Sequence, residues 1–135
     1  MASLLTNPGL EKSGMRIAGL GTTHIQAMTW DNATGAGGAF TATASKLSDG
    51  GATTSTSATT TATTVGTQTI QYDGTLTTAA FNGNNIGRIS LHFLPAASVT
   101  TATTMLYGGI DQQTIAKTPE FSLVTQLQIT YSSTQ

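Results

Sequence analysis

The sequence predicts an all-β domain. The expected fold is an antiparallel β-sandwich or jelly roll of about eight short strands, with an N-terminal arm and a long Thr-rich loop or β-arm. Three observations lead there. The 135 residues include 29 Thr and 15 Gly but only 3 Pro. Thr is β-branched and suits a pleated surface better than a helix, while Gly serves tight turns. Period-two alternation recurs along the chain, and no segment carries a helical period. Turn formers punctuate the chain at short intervals, as in sandwiches and barrels. A chain of this length is expected to form one domain, burying roughly 65–70% of its unfolded surface.

Taken in order, residues 1–14 read as an arm, because Pro8, Gly9 and Gly14 interrupt any period, and residues 15–135 read as the sandwich domain. Met15–Leu20 reads as a first strand. Thr22–Trp30 is strand-like with an ambiguous register, since both of its faces carry apolar residues. Asp31–Gly38 is a loop of turn formers, followed by a short strand around Phe40 (Ala39–Ala44) and a turn at Asp49-Gly50-Gly51. Thr67–Tyr72 and Thr75–Phe81 flank Asp73-Gly74, the signature of a hairpin with a type I′ turn. Asn82–Asn85 turns the chain again. Ile86–Leu94 alternates, with Ile89, Leu91 and Phe93 on one face and Arg88, Ser90 and His92 on a polar face, and Pro95 ends it. Thr104–Ile110 closes at Gly108-Gly109, and Gln113–Lys117 is a further short strand. Phe121–Tyr131 is the clearest element: Leu123, Thr125, Leu127 and Ile129 alternate with Val124, Gln126, Gln128 and Thr130. Such a strand has one buried face and one wet or partner-facing face.

Composition narrows function. Charged residues make up 8% of the chain and the net charge is −1, against about 25% charged residues in ordinary soluble domains. Five Lys and Arg build no basic face, so neither nucleic acid nor a membrane surface is an expected partner. A surface of hydroxyls and amides near zero net charge repels copies of itself weakly. That suits a protein that lives assembled; a neutral soluble domain is the alternative. The absence of cysteine excludes disulfides, thiolate metal sites and cysteine nucleophiles. The opening MASLLTNPGLEKSGM has no secretory pattern, so synthesis in a cytoplasm is expected.

The residues of catalysis do not assemble in the sequence. His24 and His92 are the only histidines and have no acidic partner at a ligand spacing, so no metal and no cofactor is expected. Asp31, Asp49, Asp73 and Asp111 sit among turn formers, where Asp bonds its own backbone. No G-x-S-x-G elbow and no strand–GxGxxG–helix unit is present. Trp30 reads as a core anchor or a partner contact. Arg16, Arg88 and Lys117 read as local ion pairs or partner contacts. No enzymatic activity is expected.

The run Ala52–Thr69, ATTSTSATTTATTVGTQT, has no charge and no Pro, which distinguishes it from a linker or a glycosylated stalk. Holding the thirteen residues 52–64 in one backbone conformation costs roughly 13–26 kcal/mol. No large side chain is there to offset that cost. Either the run is an arm laid on another chain, as in strand addition, or it is a hairpin in the domain's own sheet.

The segments NNIGRISLHFL, TTMLYGGI and IAKTPEFSLVTQLQITY together resemble the C-terminal half of small β-sandwich virion proteins of tailed bacteriophages. The matching pieces are Ile86–Phe93, Leu106–Gly108, Lys117–Thr118 and Phe121–Tyr131, about a third of the chain. The resemblance implies a non-enzymatic capsid decoration or cement protein on the outer surface of the virion. Such proteins are often trimeric and clamp adjacent major capsid subunits, so a homotrimer bound to the major capsid protein is expected. Leu4 and Leu5 on the arm, Thr56, Thr60 and Thr64 in the run, and Arg16, Trp30 and Arg88 are the expected partner contacts. The alternatives are a ring-forming tail, neck or baseplate component and a carbohydrate-binding sandwich, the last testable by Trp30→Ala.

Overall fold

The computed structural model describes residues 3–33, 41–104 and 106–131. It contains eight strands in two antiparallel sheets and one short helix, an all-β sandwich-like fold. The strands are β1 (Ser3–Leu5), β2 (Ala27–Asp31), β3 (Ser55–Thr59), β4 (Thr61–Thr64), β5 (Thr69–Leu76), β6 (Asn85–His92), β7 (Leu106–Ala116) and β8 (Leu123–Thr130). One sheet has the order β1-β7-β6-β2-β3, the other β4-β5-β8.

The amino terminus is not a free arm. Ser3–Leu5 pairs with β7 as an edge strand, and helix α1 (Asn7–Ile17) follows. The expected strand at Met15–Leu20 is therefore the last turn of a helix, up to Ile17, and the turn that follows it. Two local signals start it: the Thr6 hydroxyl accepts the Gly9 amide at 3.2 Å, and Pro8 sits in the first turn, where no amide is needed. The helix escaped periodicity analysis because its apolar residues do not face a core: Leu10 and Ile17 are 55% and 88% exposed. What holds it is Thr6, whose amide and hydroxyl both reach the backbone of β7. Gly9 permits that approach, since a Cβ there would collide with the Tyr107 carbonyl oxygen.

The Thr-rich run belongs to the domain. β3 pairs with β2 through Ala27↔Thr59 to Asp31↔Ser55, and β4 pairs with β5. The chain passes from one sheet to the other at Thr60. Its amide donates to the Gln26 carbonyl at 3.1 Å and its hydroxyl to the Asp73 carbonyl at 2.8 Å. Backbone ladders thus offset the ordering cost of the run, as the hairpin alternative requires in kind, although the two halves lie in different sheets.

Asp73-Gly74 is not a hairpin turn. Thr69–Leu76 is one unbroken strand, in register with β8 from Thr69↔Thr130 to Leu76↔Leu123. The glycine answers a packing demand: a Cβ on Gly74 would lie 2.7 Å from Met28 Sδ, 3.1 Å from Met28 Cβ and 3.3 Å from Trp30 Cη2. The turns at 82–85 form as expected, with Phe81 and Gly83 at positive φ. Thr104–Ile110 and Gln113–Lys117 merge into one strand, β7, which runs through Gly108 and Gly109. The expected strand at Ala39–Ala44 is a turn over 41–44; residues 39–40, with Phe40 and the loop 34–38, lie outside the described residues.

The core fills the space between the sheets. Met28 and Trp30 of β2, Ile89 and Leu91 of β6, Phe93, Tyr107 of β7 and Tyr72 and Leu76 of β5 form one buried cluster. Phe93 and Tyr107 meet edge to face at 5.7 Å. Trp30 Nε1 donates to Thr125 Oγ1 of β8 at 3.2 Å, tying the sheets across the core. Gly74→Val is expected to lower the unfolding free energy by ~1–3 kcal/mol through overpacking against Met28 and Trp30. An unchanged urea midpoint would contradict the close approach of the sheets at that point.

Candidate functional site

Two places gather polar or recognitive groups. The first is the far face of β2 and β6, away from the sandwich core. Register puts Thr29 opposite Ser90, Asp31 opposite Arg88 and Ala27 opposite His92. This face reads as wet in the sequence. The structure covers it instead: Thr29, Asp31, Arg88, Ser90 and His92 are all fully buried. A 3-10 turn at Leu47–Gly50 lies against it. Arg88 Nε donates to Asp31 Oδ2 at 3.0 Å, Nη1 to the Gly50 carbonyl at 3.1 Å and Nη2 to the Leu47 carbonyl at 3.0 Å. Asp31 Oδ1 accepts the Ala33 amide at 2.9 Å. Asp31 is thus an ion-pair partner rather than a turn residue, whereas Asp49 does cap its turn, accepting the amides of Ser45 and Lys46.

Beside the ion pair, Thr29 Oγ1 lies 3.0 Å from Ser57 Oγ and 3.2 Å from His92 Nδ1. A Ser–Thr–His chain suggests a nucleophile and its base, but Ser57 reaches His92 only through Thr29, and both Thr29 and His92 are fully buried. Burial also pushes the His92 imidazole down to about 4 from its ordinary 6.5, so it is neutral in the fold. Among the described residues His92 Nε2 and Ser90 Oγ have no hydrogen-bond partner; each such atom costs about 1–3 kcal/mol. This layer is structural: it fastens loops to the sheet.

The second place is a groove of about 400 Å³ between the sheets, on the side away from the Thr60 crossover. Leu5, Leu91, Tyr107, Gly108, Gly109 and Ile110 line one wall, and Leu127, Gln128, Ile129, Thr130 and Tyr131 of the β8 end line the other. The volume falls in the range of ligand clefts, ~300–1,000 Å³. No lining residue is charged. Burial pushes the hydroxyl of Tyr107 up, with a hydrogen bond to Tyr131 adding to the effect, and burial raises Tyr72 as well. Both phenols stay protonated at ordinary pH, and with Tyr107 on its wall the groove offers a neutral hydroxyl and apolar surface: the means of recognition rather than of proton transfer. Among the described residues no group of three His, Asp or Glu side chains comes together to hold a metal ion.

The eight expected contacts do not converge. Leu4 and Leu5 are on edge strand β1, with Leu4 opposite Gly109 and Leu5 on the groove wall. Arg16 is exposed on α1 and donates to the Thr22 carbonyl. Thr56 is half-buried on β3 opposite Trp30, and Thr64 is exposed on β4. Three assignments are corrected: Trp30 and Arg88 are fully enclosed, and Thr60 is buried at the crossover. Trp30→Ala would therefore report on the core and not on sugar binding. The groove was missed in the sequence. Its one signal was Gly108-Gly109, which reads as a strand end but is a stretch of strand without side chains, opening space above β7.

Comparison with family models, curated proteins and solved structures finds no match to this chain.

Stability should carry the signature of His92. With a folded pKa of about 4 and an unfolded value of 6.5, protonation favours the unfolded chain. The stabilisation is complete above pH 6.5 and is lost as pH falls from 6.5 towards 4, by about 3 kcal/mol in total. Urea midpoints measured from pH 7.5 to 4.5 should fall across that window, and His92→Gln should flatten the slope. An equal slope in the variant would show that His92 is not buried and neutral.

Proposed function

We propose that this chain is a non-enzymatic structural subunit of a virion, and within that class a capsid decoration protein that lies on the shell's outer surface and bridges major capsid subunits. The observation that carries the assembly reading is the helix α1. It is anchored to β7 by Thr6, yet Leu10, Ile17 and the following Leu20 stand 55%, 88% and 74% exposed. An anchored element that leaves large apolar side chains in water marks a surface for a protein partner. The low charge of the chain supports the same reading, since copies can sit close together with little repulsion. The narrower virion assignment is supported by the motif resemblance of residues 86–131, which is an analogy of pattern. Mechanistically, each contact is small and the number of copies makes the lattice resistant.

The test is immunogold electron microscopy of virus particles from the culture that produces the protein, using antibody to the purified chain. Label on heads is the expected result. Label on tails or baseplates would move the protein to the ring-component reading, and particles without label would contradict the virion assignment.

A further inference from the structure

The groove and the strand beside it point to a shared occupant. Backbone groups on an antiparallel strand alternate in direction, and a residue's N–H and C=O point the same way. The Tyr131 amide donates to the Gln68 carbonyl at 2.8 Å. With the register Thr69↔Thr130 to Leu76↔Leu123, Ile129, Leu127, Thr125 and Leu123 bond β5. The N–H and C=O groups of Val124, Gln126, Gln128 and Thr130 therefore point away from it, along the sheet's outer edge.

That edge lacks the devices that protect edge strands. β8 is eight residues long and runs in unbroken register with β5, and it contains no charge and no Pro. The neighbouring sheet has five strands against three. On the side of the Thr60 crossover the two sheets are joined by the chain itself, β3 running into β4. On the other side β7 runs into β8 through residues 117–122, which joins the sheets at the Ala116–Leu123 end; at the opposite end the groove lies over Leu5, Tyr107 and Ile110 with Leu127 and Ile129 on its other wall. The sandwich is short of one strand at this point.

We propose that this gap accepts an extended strand donated by a partner chain, seated beside β8. The strand has apolar residues at alternate positions facing the groove and uncharged polar residues facing out. Three features select that occupant. The row of donors and acceptors, which faces no strand among the described residues, requires an extended backbone. The lining is uncharged, so a charged segment would lose its hydration without compensation. A lone strand fits where a whole domain does not, because a partner bringing its own second sheet would meet β7 and β1. The inference holds whichever assembly the chain joins.

β8 itself supplies a probe. Its sequence is nearly symmetric about Leu127: antiparallel pairing with a second LVTQLQITY places Leu127 opposite Leu127, Gln126 opposite Gln128, Thr125 opposite Ile129 and Leu123 opposite Tyr131. Synthetic peptide of that sequence should be titrated into the intact protein and amide exchange followed by NMR. At about ten times its Kd the peptide should slow exchange at Val124, Gln126, Gln128 and Thr130 by about tenfold, and should raise the melting temperature. Gln126→Pro and Val124→Pro each remove one outward N–H without touching a bond to β5, as edge strands tolerate, and should abolish both effects. Unchanged exchange at the four amides, or protection confined to other amides, would overturn the proposal. So would four amides already protected in the protein alone together with a doubled mass by light scattering, because the edge would then belong to a second copy.

Discussion

The buried ion pair between Asp31 and Arg88 ties two strands and a long connection together. It joins β6, the central strand of the larger sheet, to its neighbour β2 on the face opposite the sandwich core. The same guanidinium takes the carbonyls of Leu47 and Gly50, and the same carboxylate takes the Ala33 amide. The long connection between β2 and β3 is thus pinned to one point at Ala33, Leu47 and Gly50. Ala33, Ala44, Leu47, Ala52 and Leu106 close over it as a small second core. Two ions without water are tolerable only when their remaining hydrogen-bonding groups are satisfied, and the loop carbonyls do that here.

From this constraint the double burial of β6 follows. Its residues from Ile86 to His92 are all buried, which alternation alone does not foretell. Apolar Ile89 and Leu91 look into the sandwich, while Arg88, Ser90 and His92 look into a polar layer roofed by loops. The neutral His92, and the Ser90 hydroxyl that meets no partner among the described residues, are consequences of roofing a polar face rather than an apolar one.

How much was legible in the sequence depended on whether local rules had a tertiary competitor. β8 reads correctly because one of its faces is wet: Leu123, Thr125, Leu127 and Ile129 turn inward and their neighbours outward. β6 misleads because its polar residues serve loops that carry no period. Asp73-Gly74 obeys the hairpin rule in isolation, but the approach of Met28 and Trp30 makes the glycine a spacer. The helix α1 is hidden by Gly9 and Gly14, and only the cap at Thr6 and the position of Pro8 announce it. The Thr run has no side-chain pattern at all, and its place as two edge strands comes from hydrogen bonds that sequence does not encode locally. The groove is a mismatch in strand number between sheets, a property of topology.

The account stands on Asp31 and Arg88 most directly, and a double-mutant cycle on them tests it. Asp31→Ala and Arg88→Met should each destabilise the fold by ~3–5 kcal/mol, because each takes the ion-pair partner from a buried charge. The double variant should be far less destabilised than the sum. Single variants within about 1 kcal/mol of the parent in urea unfolding, as expected of an exposed surface pair, would contradict the buried position of the pair and the loop anchoring built on it.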